Sequence, residues 1–307
     1  MKAAYFMKNG GPEVMQYGEV PDPVAGPGQV LVDVHAASVN GADWKVRAGS
    51  YAPITTFPYI PGRDFSGVVS ALGAGVSDLK VGDPVFGVVE VTGEACYAEK
   101  VAIKSAIVAK KPDSLTHVEA ASLALIGLTA LVSIEDTLQL KSGETILIQG
   151  GAGGVAGFAV QVAKHIGARV ITTASAANHD YLRKLGADQI IDYTKQDVTQ
   201  VVSGCDAVFD TVGGDTVKGS FAVLRPGGRA AFIGSGQTAP VPPRKDVVSL
   251  RPKVGRDRAH LERIVALVTG GAVRVPEIKV YPLSEAAAAH RVSEGRHLRG
   301  KLVFKVR

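Results

Sequence analysis

The chain has few of the residues that hold a fold together covalently or through a metal. Its 307 residues include two cysteines, Cys96 and Cys205, which lie far apart in the sequence. Two thiols cannot form a disulfide framework or a four-thiolate zinc site, so both kinds of scaffold are excluded. Unpaired cysteines are typical of a reducing compartment, and we expect a cytoplasmic protein.

Long apolar runs and basic runs are also scarce. The longest apolar stretch, Ala120–Ile134, contains serine, threonine and glycine and is too short for a membrane span, so it predicts a buried helix. Residues 1–11 lack the apolar core of a signal peptide. Lysine and arginine exceed aspartate and glutamate by 34 to 29 without forming a basic patch. No membrane or nucleic-acid partner is expected, and the mild excess suits a small anionic ligand.

The first 120 residues have the texture of a β-rich domain. Within Gln29–Ser38, valine and alanine alternate with more polar residues, which is the period of a half-buried strand. Glycine and proline separate this run from its neighbours, as in a barrel-like or partly open sheet. The predicted strands are Lys2–Phe6, Gln29–Ser38, Phe65–Leu72, Pro84–Val89 and Tyr97–Ile103.

From Thr145 onward, strands and helices alternate, which predicts a doubly wound parallel sheet of Rossmann type in an α/β protein. The tail contains an extended Val275–Leu283, a helix Ser284–Glu294 and a strand Lys301–Val306. We expect this tail to return to the first domain. The predicted domains are therefore 1–122 with 274–307, and 123–273. The predicted elements of the alternating segment are strands Thr145–Gln149, Arg169–Thr173, Gln189–Asp192, Ala207–Asp210 and Arg229–Ile233, with helices from Val155, over Asn178–Leu185 and over Thr216–Val223.

A glycine-rich corner between a strand and a helix is the most informative segment, with the sequence Gly150-Gly-Ala-Gly-Gly-Val-Ala156. Glycine lets the backbone approach a diphosphate, and the free N–H groups at a helix start attract its charge. Such a corner also occurs as a plain turn, but its place inside a βαβ unit favours a dinucleotide site. The candidate ligands are Gly150, Ala152, Gly153, Gly154 and Val155.

The second strand indicates which nicotinamide nucleotide binds. NAD sites usually carry an acidic residue there for the ribose 2′-hydroxyl, yet none occurs between Glu144 and Asp180. An uncharged pocket accepts a 2′-phosphate, so NADPH is the predicted cofactor. Ser175 and Tyr193 are candidate phosphate contacts, or else an exposed serine and a packing tyrosine. Ala177 stands where a cation would strengthen the site.

Several separate motifs give the chain a family resemblance along nearly its whole length. It resembles the medium-chain dehydrogenase/reductase superfamily in its zinc-independent quinone oxidoreductase branch. The resemblance implies a GroES-like catalytic domain beside the Rossmann domain, a homodimer and no metal. The matching motifs are Ser38-Val-Asn-Gly-Ala-Asp-Trp-Lys-Val-Arg47, Pro61-Gly-Arg-Asp-Phe-Ser-Gly67, Val81-Gly-Asp-Pro-Val-Phe-Gly87, Gly127-Leu-Thr-Ala130, Gly186-Ala-Asp188, Asp210-Thr-Val-Gly-Gly214 and Arg299-Gly-Lys301.

The residues that replace the zinc ligands are the basis for expecting no metal. Zinc-dependent relatives use an early cysteine and a Gly-His-Glu motif, whereas this chain has Asn40 and Asp43 in the first region and Arg63-Asp64 in the second. The seven histidines form no pair at ligand spacing within one element. We therefore predict that no metal takes part in catalysis.

The resemblance also nominates catalytic residues and contacts to the nicotinamide. Asn40 is expected to line the substrate site, although it is equally suited to cap a helix. Tyr51, which opens a proline-broken loop over residues 51–58, and Arg63 are the other catalytic candidates; packing for Tyr51 and pairing with Asp43 or Asp64 for Arg63 are the alternatives. The expected cofactor contacts are Thr129, Phe232, Ile233, Gly234 and Lys301, although a lysine near the end of a chain is more often solvated.

These expectations together predict an NADPH-dependent reductase that passes hydride to a quinone or an α,β-unsaturated carbonyl compound. Without a metal to steady an alkoxide, a substrate whose product anion is delocalised is easier to reduce. Two alternatives remain from the sequence. One is an NADPH-binding sensor or moonlighting protein with little turnover, and the other is an alcohol dehydrogenase that acts without zinc.

Overall fold

A computed structural model describes residues 1–51, 53–54, 56–90, 93 and 95–307, and these residues divide into two compact units. Unit 1 comprises Met1–Leu125, Arg256–Thr269 and Val275–Arg307, and unit 2 comprises Ile126–Gly255 and Gly270–Arg274. The units differ from the predicted domains, 1–122 with 274–307 and 123–273, chiefly in grouping Arg256–Thr269 with unit 1. The predicted boundaries stay a prediction about the functional domains.

The strands are short and numbered along the chain. They are β1 (Lys2–Tyr5), β2 (Gln16–Glu19), β3 (Gln29–Val39), β4 (Asp64–Leu72), β5 (Pro84–Val88), β6 (Lys100–Lys104), β7 (Val108–Lys110), β8 (Thr145–Gln149), β9 (Arg169–Thr173), β10 (Gln189–Ile191), β11 (Cys205–Asp210), β12 (Leu224–Phe232), β13 (Val248–Leu250), β14 (Ile278–Pro282) and β15 (Lys301–Lys305).

The α-helices follow the same numbering. They are α1 (Gly41–Arg47), α2 (His117–Leu131), α3 (Gly154–Ile166), α4 (His179–Lys184), α5 (Val198–Val201), α6 (Thr216–Ala222), α7 (Arg258–Thr269) and α8 (Ala286–Glu294). Helix α2 continues into a π-helical segment, Val132–Thr137. The stretch His117–Thr137 is long and apolar enough to cross a membrane, but most of it is buried, as in the core helix of a folded domain.

Unit 1 is built on a largely antiparallel sheet. The strand order is β14-β15-β3-β4-β5-β7, with β6 also paired to β3, and β1 forms a separate two-stranded sheet with β2. The predicted alternation of β3 is observed, because Val30, Val32 and Val34 are buried while the residues between them are partly exposed. Strand β15 pairs with both β3 and β14, so the tail is part of this sheet.

Unit 2 contains a six-stranded sheet in the order β10-β9-β8-β11-β12-β13, and every pairing in it is parallel. This is the Rossmann order. Strands β9 and β10 lie on one side of β8, and β11, β12 and β13 lie on the other. The α/β fold class predicted from the sequence is confirmed. Strands β8 and β9 have the predicted bounds, because each is an apolar run that ends at a clear change in composition.

Three elements of the second half, α5, β13 and α7, were not predicted. Strand β13 is a three-residue edge strand without an alternating pattern. Helix α7 was missed as well. In the structure Arg258 donates to the carbonyl oxygens of Val108 and Ser105, which attaches the start of α7 to unit 1.

Candidate functional site

The glycine corner of unit 2 lies between β8 and α3, as the sequence predicted. Gly150 has a φ of 77°, which favours glycine, and its N–H donates to Thr173 Oγ1 at 3.0 Å. A Cβ on Gly151 would lie 2.2 Å from Thr172 Oγ1. These two glycines are required by the fold itself, because any side chain would meet strain or the neighbouring strand.

Gly153 is different, because nothing in the fold requires a glycine there. It is the N-cap of α3 with ordinary extended backbone, and a Cβ on it would meet no atom closer than the Gly150 carbonyl oxygen at 3.5 Å. Ala152, Gly153, Gly154 and Val155 are all partly exposed. The partly exposed start of a 13-residue helix, with no side chain over Gly153, has the chemistry of a diphosphate site.

Close backbone contacts bring the ends of β11 and β12 together beside this corner. A Cβ on Gly213 would lie 2.4 Å from the Gly234 carbonyl oxygen, and the Ile233 N–H donates to the Asp210 carbonyl oxygen at 3.0 Å. The Asp210 carboxylate accepts the N–H groups of Val212 and Gly213, so it holds the loop. The site is therefore formed by the carboxyl ends of parallel strands, where α/β sheets bind ligands.

The predicted nicotinamide contacts differ in their burial. Thr129 is partly exposed on α2 between buried neighbours, and Ile233 and Gly234 are partly exposed just beyond β12. Phe232 is fully buried, its ring lies 5.1 Å from that of Phe221, and its carbonyl oxygen accepts from Arg251 at 2.7 Å. The Phe232 side chain is thus a core residue, and only its backbone lies at the end of the strand.

The predicted 2′-phosphate residues lie at the ends of neighbouring strands. Ser175 follows β9 and is partly exposed, and its Oγ accepts from Asn178 Nδ2 at 3.2 Å. Tyr193 follows β10 with 53% of its surface exposed, so it does not pack in the core. Ala174, the residue after β9, is uncharged, and its carbonyl oxygen lies 3.3 Å from His179 Nε2. No carboxylate occupies the end of β9 in the sequence.

Changing the charge at Ser175 is expected to change the cofactor preference. In Ser175→Asp the new carboxylate would repel a 2′-phosphate, and we expect the ratio of NADPH to NADH affinity to fall about 10- to 100-fold. Asparagine has nearly the same shape as aspartate but no charge, so Ser175→Asn is the matched control. Dissociation constants from fluorescence titration give the ratio, and an equal ratio in wild type and Ser175→Asp would refute the assignment of this position.

Unit 1 contains a buried polar cluster around the predicted catalytic residue Asn40. Asn40 is the N-cap residue of α1, and its side-chain amide donates to Asp64 Oδ1 at 2.8 Å. Its Oδ1 accepts from Lys301 Nζ at 2.6 Å. Asn40 therefore begins a helix, as one of its two predicted roles requires, and its amide belongs to a charged network; its place in the substrate site stays a prediction.

Lys301 is buried, contrary to what a lysine near the end of a chain suggests. Its ammonium also donates to the Val39 carbonyl oxygen at 2.6 Å, and burial lowers its pKa while Asp64 and Asp43 oppose that effect. The Asp64 carboxylate accepts the Ser38 hydroxyl at 2.7 Å and the Leu125 N–H at 3.2 Å. Lys301 therefore lies with the catalytic candidates of unit 1, and its predicted contact with the cofactor stays a prediction.

Arg63 and Tyr51 lie together in the same unit. The Arg63 guanidinium lies 4.7 Å from the centre of the Tyr51 ring, and its NH1 donates to the Tyr51 hydroxyl at 3.5 Å. Arg63 Nε is 3.7 Å from Asp43 Oδ1, so of the two predicted alternatives for pairing the structure places Asp43 beside it. Of the proline-broken loop 51–58, residues 52 and 55 lie outside the described residues.

The donor set of this cluster does not fit the zinc ion of metal-dependent relatives. Arg63 and Lys301 bring two cations into the region, and the oxygens of Asn40 and Asp64 already accept hydrogen bonds from neighbouring groups. A divalent cation would have to displace these donors against like charge. Over the described residues, no group of three or more His, Cys, Asp or Glu side chains is arranged to hold a metal ion.

Two further buried residues of the cluster were missed from the sequence. The Tyr97 hydroxyl donates to Asp43 Oδ2 at 2.7 Å, and His290 Nε2 lies 3.4 Å from the same hydroxyl. Tyr97 lies in the segment before β6 and His290 in α8, nearly 200 positions apart, so no local pattern relates them. The only available signal was a histidine on an alanine-rich helix.

His290 makes the stability of the protein depend on pH. Burial, reinforced by the Arg47 cation, lowers its pKa from 6.5 to about 3, so the folded chain keeps it neutral. Between pH 6.5 and about 3 the unfolded chain binds a proton that the folded chain does not, so stability falls as the pH falls. The slope is about 1.4 kcal/mol per pH unit. Urea unfolding of wild type and His290→Gln at several pH values measures it, and equal slopes would contradict this assignment.

The comparisons with known proteins agree with the fold. Residues 26–113 match the alcohol dehydrogenase GroES-like domain, and residues 185–304 match the zinc-binding dehydrogenase family. The chain is 33% identical to a 2-haloacrylate reductase from Burkholderia sp., with 98% of each chain covered. It is 32% identical to an NADPH-dependent alkenal/one oxidoreductase of Arabidopsis thaliana chloroplasts, covering 99% of this chain and 79% of the relative.

A solved structure extends the similarity to three dimensions. The quinone oxidoreductase of Escherichia coli in complex with NADPH superimposes with a TM-score of 0.91 over 100% of both chains, at 27% identity. Fold, strand order and sequence therefore lead to the same assignment. The chain belongs to the medium-chain dehydrogenase/reductase superfamily, in its quinone oxidoreductase branch.

Proposed function

We propose that the protein is an NADPH-dependent reductase that transfers hydride to a quinone or an α,β-unsaturated carbonyl compound without a metal. One observation carries this proposal: Arg63 and Lys301, two buried cations, lie with Asn40 in the region where metal-dependent relatives hold zinc. Relatives described as quinone, alkenal/one and 2-haloacrylate reductases support it.

The residues that we propose for the cofactor are those of unit 2. The N–H groups of Ala152, Gly154 and Val155 would hold the diphosphate, with Gly153 leaving room for it. Ser175 and Tyr193 would hold the 2′-phosphate, and Thr129 with the backbone of 232–234 the nicotinamide. When bound, NADPH supplies the hydride. The accessible corner at Gly153 and the uncharged end of β9 support this assignment, as does the NADPH bound to the quinone oxidoreductase of Escherichia coli.

The catalytic residues that we propose are Asn40, Tyr51 and Arg63. Reduction at the carbon of a conjugated carbonyl leaves negative charge on the substrate oxygen, and fixed donors stabilise that charge best in a site without water. Asp43 lies beside Arg63, and Asp64 and Asp43 oppose the effect of burial, which lowers the pKa of Lys301. The proton that completes the product comes from solvent.

The same charges explain the preference for a conjugated substrate. A simple alcohol or ketone concentrates charge on one oxygen and is usually served by a Lewis acid. Hydrogen-bond donors suffice where the anion is delocalised over an enolate or a quinol ring. The binding-only alternative predicts the same glycine corner in unit 2, but it gives no reason for the buried charged cluster of unit 1.

A substrate panel tests the proposal. NADPH oxidation at 340 nm is followed with several quinones, enals and enones, and with saturated aldehydes and alcohols plus NADP⁺ as matched controls. The proposal expects turnover of at least one quinone or enone and little with saturated compounds. Tight NADPH binding without oxidation by any of them would instead support the binding-only alternative.

We propose further that the protein is a cytoplasmic homodimer. Family membership supports the dimer, and two buried free cysteines suit a reducing compartment. Light scattering coupled to gel filtration gives the oligomeric state, with twice the monomer mass of 31.9 kDa as the expected result. Subcellular fractionation tests the location, and recovery in a membrane fraction would contradict it.

A further inference from the structure

A line of buried polar side chains runs through unit 1 behind the proposed catalytic residues. It consists of Arg47, His290, Tyr97 and Asp43, and we call it the buried polar chain. Arg47 and Asp43 come from α1, His290 comes from α8, and Tyr97 precedes β6. All four residues are fully buried. Keeping so many polar groups from water is costly unless each has partners.

The successive contacts of the chain are within hydrogen-bond distance. Arg47 NH1 lies 3.4 Å from His290 Nδ1, and His290 Nε2 lies 3.4 Å from the Tyr97 hydroxyl oxygen. The Tyr97 hydroxyl then donates to Asp43 Oδ2 at 2.7 Å. The Asn40 N–H donates to the same carboxylate oxygen at 2.9 Å.

These contacts permit one direction of hydrogen bonding. A guanidinium donates but cannot accept, so His290 Nδ1 must carry no proton. The remaining proton of the neutral ring lies on Nε2 and is donated to the Tyr97 oxygen. Tyr97 therefore uses its own proton for Asp43, the last member of the chain. A protonated His290 would direct a second N–H at Arg47, so the chain requires the neutral ring.

The buried polar chain ends at Asp43, beside the groups that hold Arg63. Asp43 Oδ1 is 3.7 Å from Arg63 Nε, and the ring of Tyr97 packs against Gly62, the residue before Arg63. A Cβ on Gly62 would lie 2.3 Å from Tyr97 Cδ1. Tyr97 thus constrains Arg63 twice, through the carboxylate that faces its guanidinium and through the backbone that precedes it.

The other end of the buried polar chain, at Arg47, lies near the surface. Arg47 forms an ion pair with Glu294 of α8, and its Nε donates to the Gly10 carbonyl oxygen at 3.2 Å. Glu294 is partly exposed. The Arg47 guanidinium is therefore fixed by these two neighbours, so it presents NH1 to His290 in a defined direction.

We propose that Tyr97 and His290 are positioning residues that orient Asp43 and, through it, the guanidinium of Arg63 toward the substrate oxygen. The inference rests on the proposed function, because Arg63 is taken to stabilise the charge on that oxygen. Neither Tyr97 nor His290 touches the substrate. Their effect on turnover comes from the accuracy with which Arg63 is held.

Removing the Tyr97 hydroxyl tests the first step. Tyr97→Phe keeps the ring that packs against Gly62 and Phe304 but breaks the link to Asp43. We expect kcat to fall about 10-fold, the scale of a small misplacement of a catalytic group, with the KM for NADPH changed less than about 2-fold. Tyr281→Phe, at another buried tyrosine of unit 1, is the matched control and should keep the wild-type kcat.

A double-mutant cycle with Arg63→Ala separates positioning from a structural role. If Tyr97 acts through Arg63, Tyr97→Phe lowers kcat in the wild-type background and changes it less than about 2-fold once Arg63 is absent. If Tyr97 only supports the fold, its effect is the same in both backgrounds. Thermal unfolding and NADPH titration of each variant verify that the protein is folded.

His290 provides a second and independent test. The amide of His290→Gln can accept from Arg47 and donate to Tyr97, so kcat should stay within about 3-fold of wild type. His290→Leu fills a similar volume without either hydrogen bond and should lose as much kcat as Tyr97→Phe. The double variant with Tyr97→Phe should be no slower than either single variant.

The outcomes distinguish this inference from the proposed function. Wild-type kcat in Tyr97→Phe and His290→Leu, or effects that add fully to Arg63→Ala, overturn the inference and leave the reductase intact. Wild-type kcat in Arg63→Ala overturns both the role of Arg63 and the inference. Absence of turnover by the wild-type protein with every quinone and enone contradicts the proposed function itself.

Discussion

Gly153→Val is expected to weaken NADPH binding about 100-fold, equivalent to about 2.7 kcal/mol, because its side chain would occupy the space of the diphosphate. The fold should tolerate the change. Gly153 has extended backbone, and the nearest atom to an added Cβ is the Gly150 carbonyl oxygen at 3.5 Å. Fluorescence titration with NADPH measures the affinity, and thermal unfolding measures the stability.

Gly151→Val is the matched control. It lies in the same turn, but it is expected to affect the stability of the fold. Its Cβ would lie 2.2 Å from Thr172 Oγ1, so it should destabilise the fold. If Gly153→Val keeps the wild-type affinity for NADPH, the corner is a plain turn and not a diphosphate site. A lower unfolding temperature in Gly153→Val would show that this glycine too is structural.

Lys301→Met is expected to destabilise the protein by about 3 to 5 kcal/mol, because it removes a buried cation from beside buried carboxylates. The ammonium of Lys301 donates to Asn40 Oδ1 and the Val39 carbonyl oxygen, and Asp64 and Asp43 interact with its charge. Methionine matches the length of the side chain but supplies neither charge nor donors. The kcat for quinone or enone reduction should fall as well, since Asn40 loses the partner that orients its amide.

Lys305→Met is the control for this prediction, because Lys305 ends the same strand on an exposed position. It should change the free energy of unfolding by less than about 0.5 kcal/mol. Urea unfolding at neutral pH measures both variants. An equal and small loss of unfolding free energy in the two variants would mean that the charged cluster of unit 1 does not depend on Lys301.

Local composition was enough to predict much of the fold and the nucleotide site. Strands β8 and β9 are apolar runs with sharp ends, and the glycine corner between β8 and α3 follows from the residues that it contains. The alternation in β3 likewise predicted its buried face. Such features depend on neighbours in sequence, so one chain without its structure reveals them.

Features that depend on distant contacts were not predictable in this way. The burial of Lys301 depends on its hydrogen bonds to Val39 and Asn40, more than 250 positions earlier. Tyr97 and His290 acquire a role because α8 packs near the segment before β6. Strand β13 has three residues at a sheet edge, too few to show a period.

Transfer of deuterium from NADPH labelled at C4 tests the central claim most directly. After incubation with an enone that the protein consumes, mass spectrometry of the product should show one deuterium at the β-carbon when the transferred face of the nicotinamide carries the label. Both labelled epimers are used, so one of them must give a labelled product. If the enone is reduced while NADPH is consumed and neither epimer yields a product labelled at carbon, the reduction is not a hydride transfer from the nicotinamide, which contradicts the account.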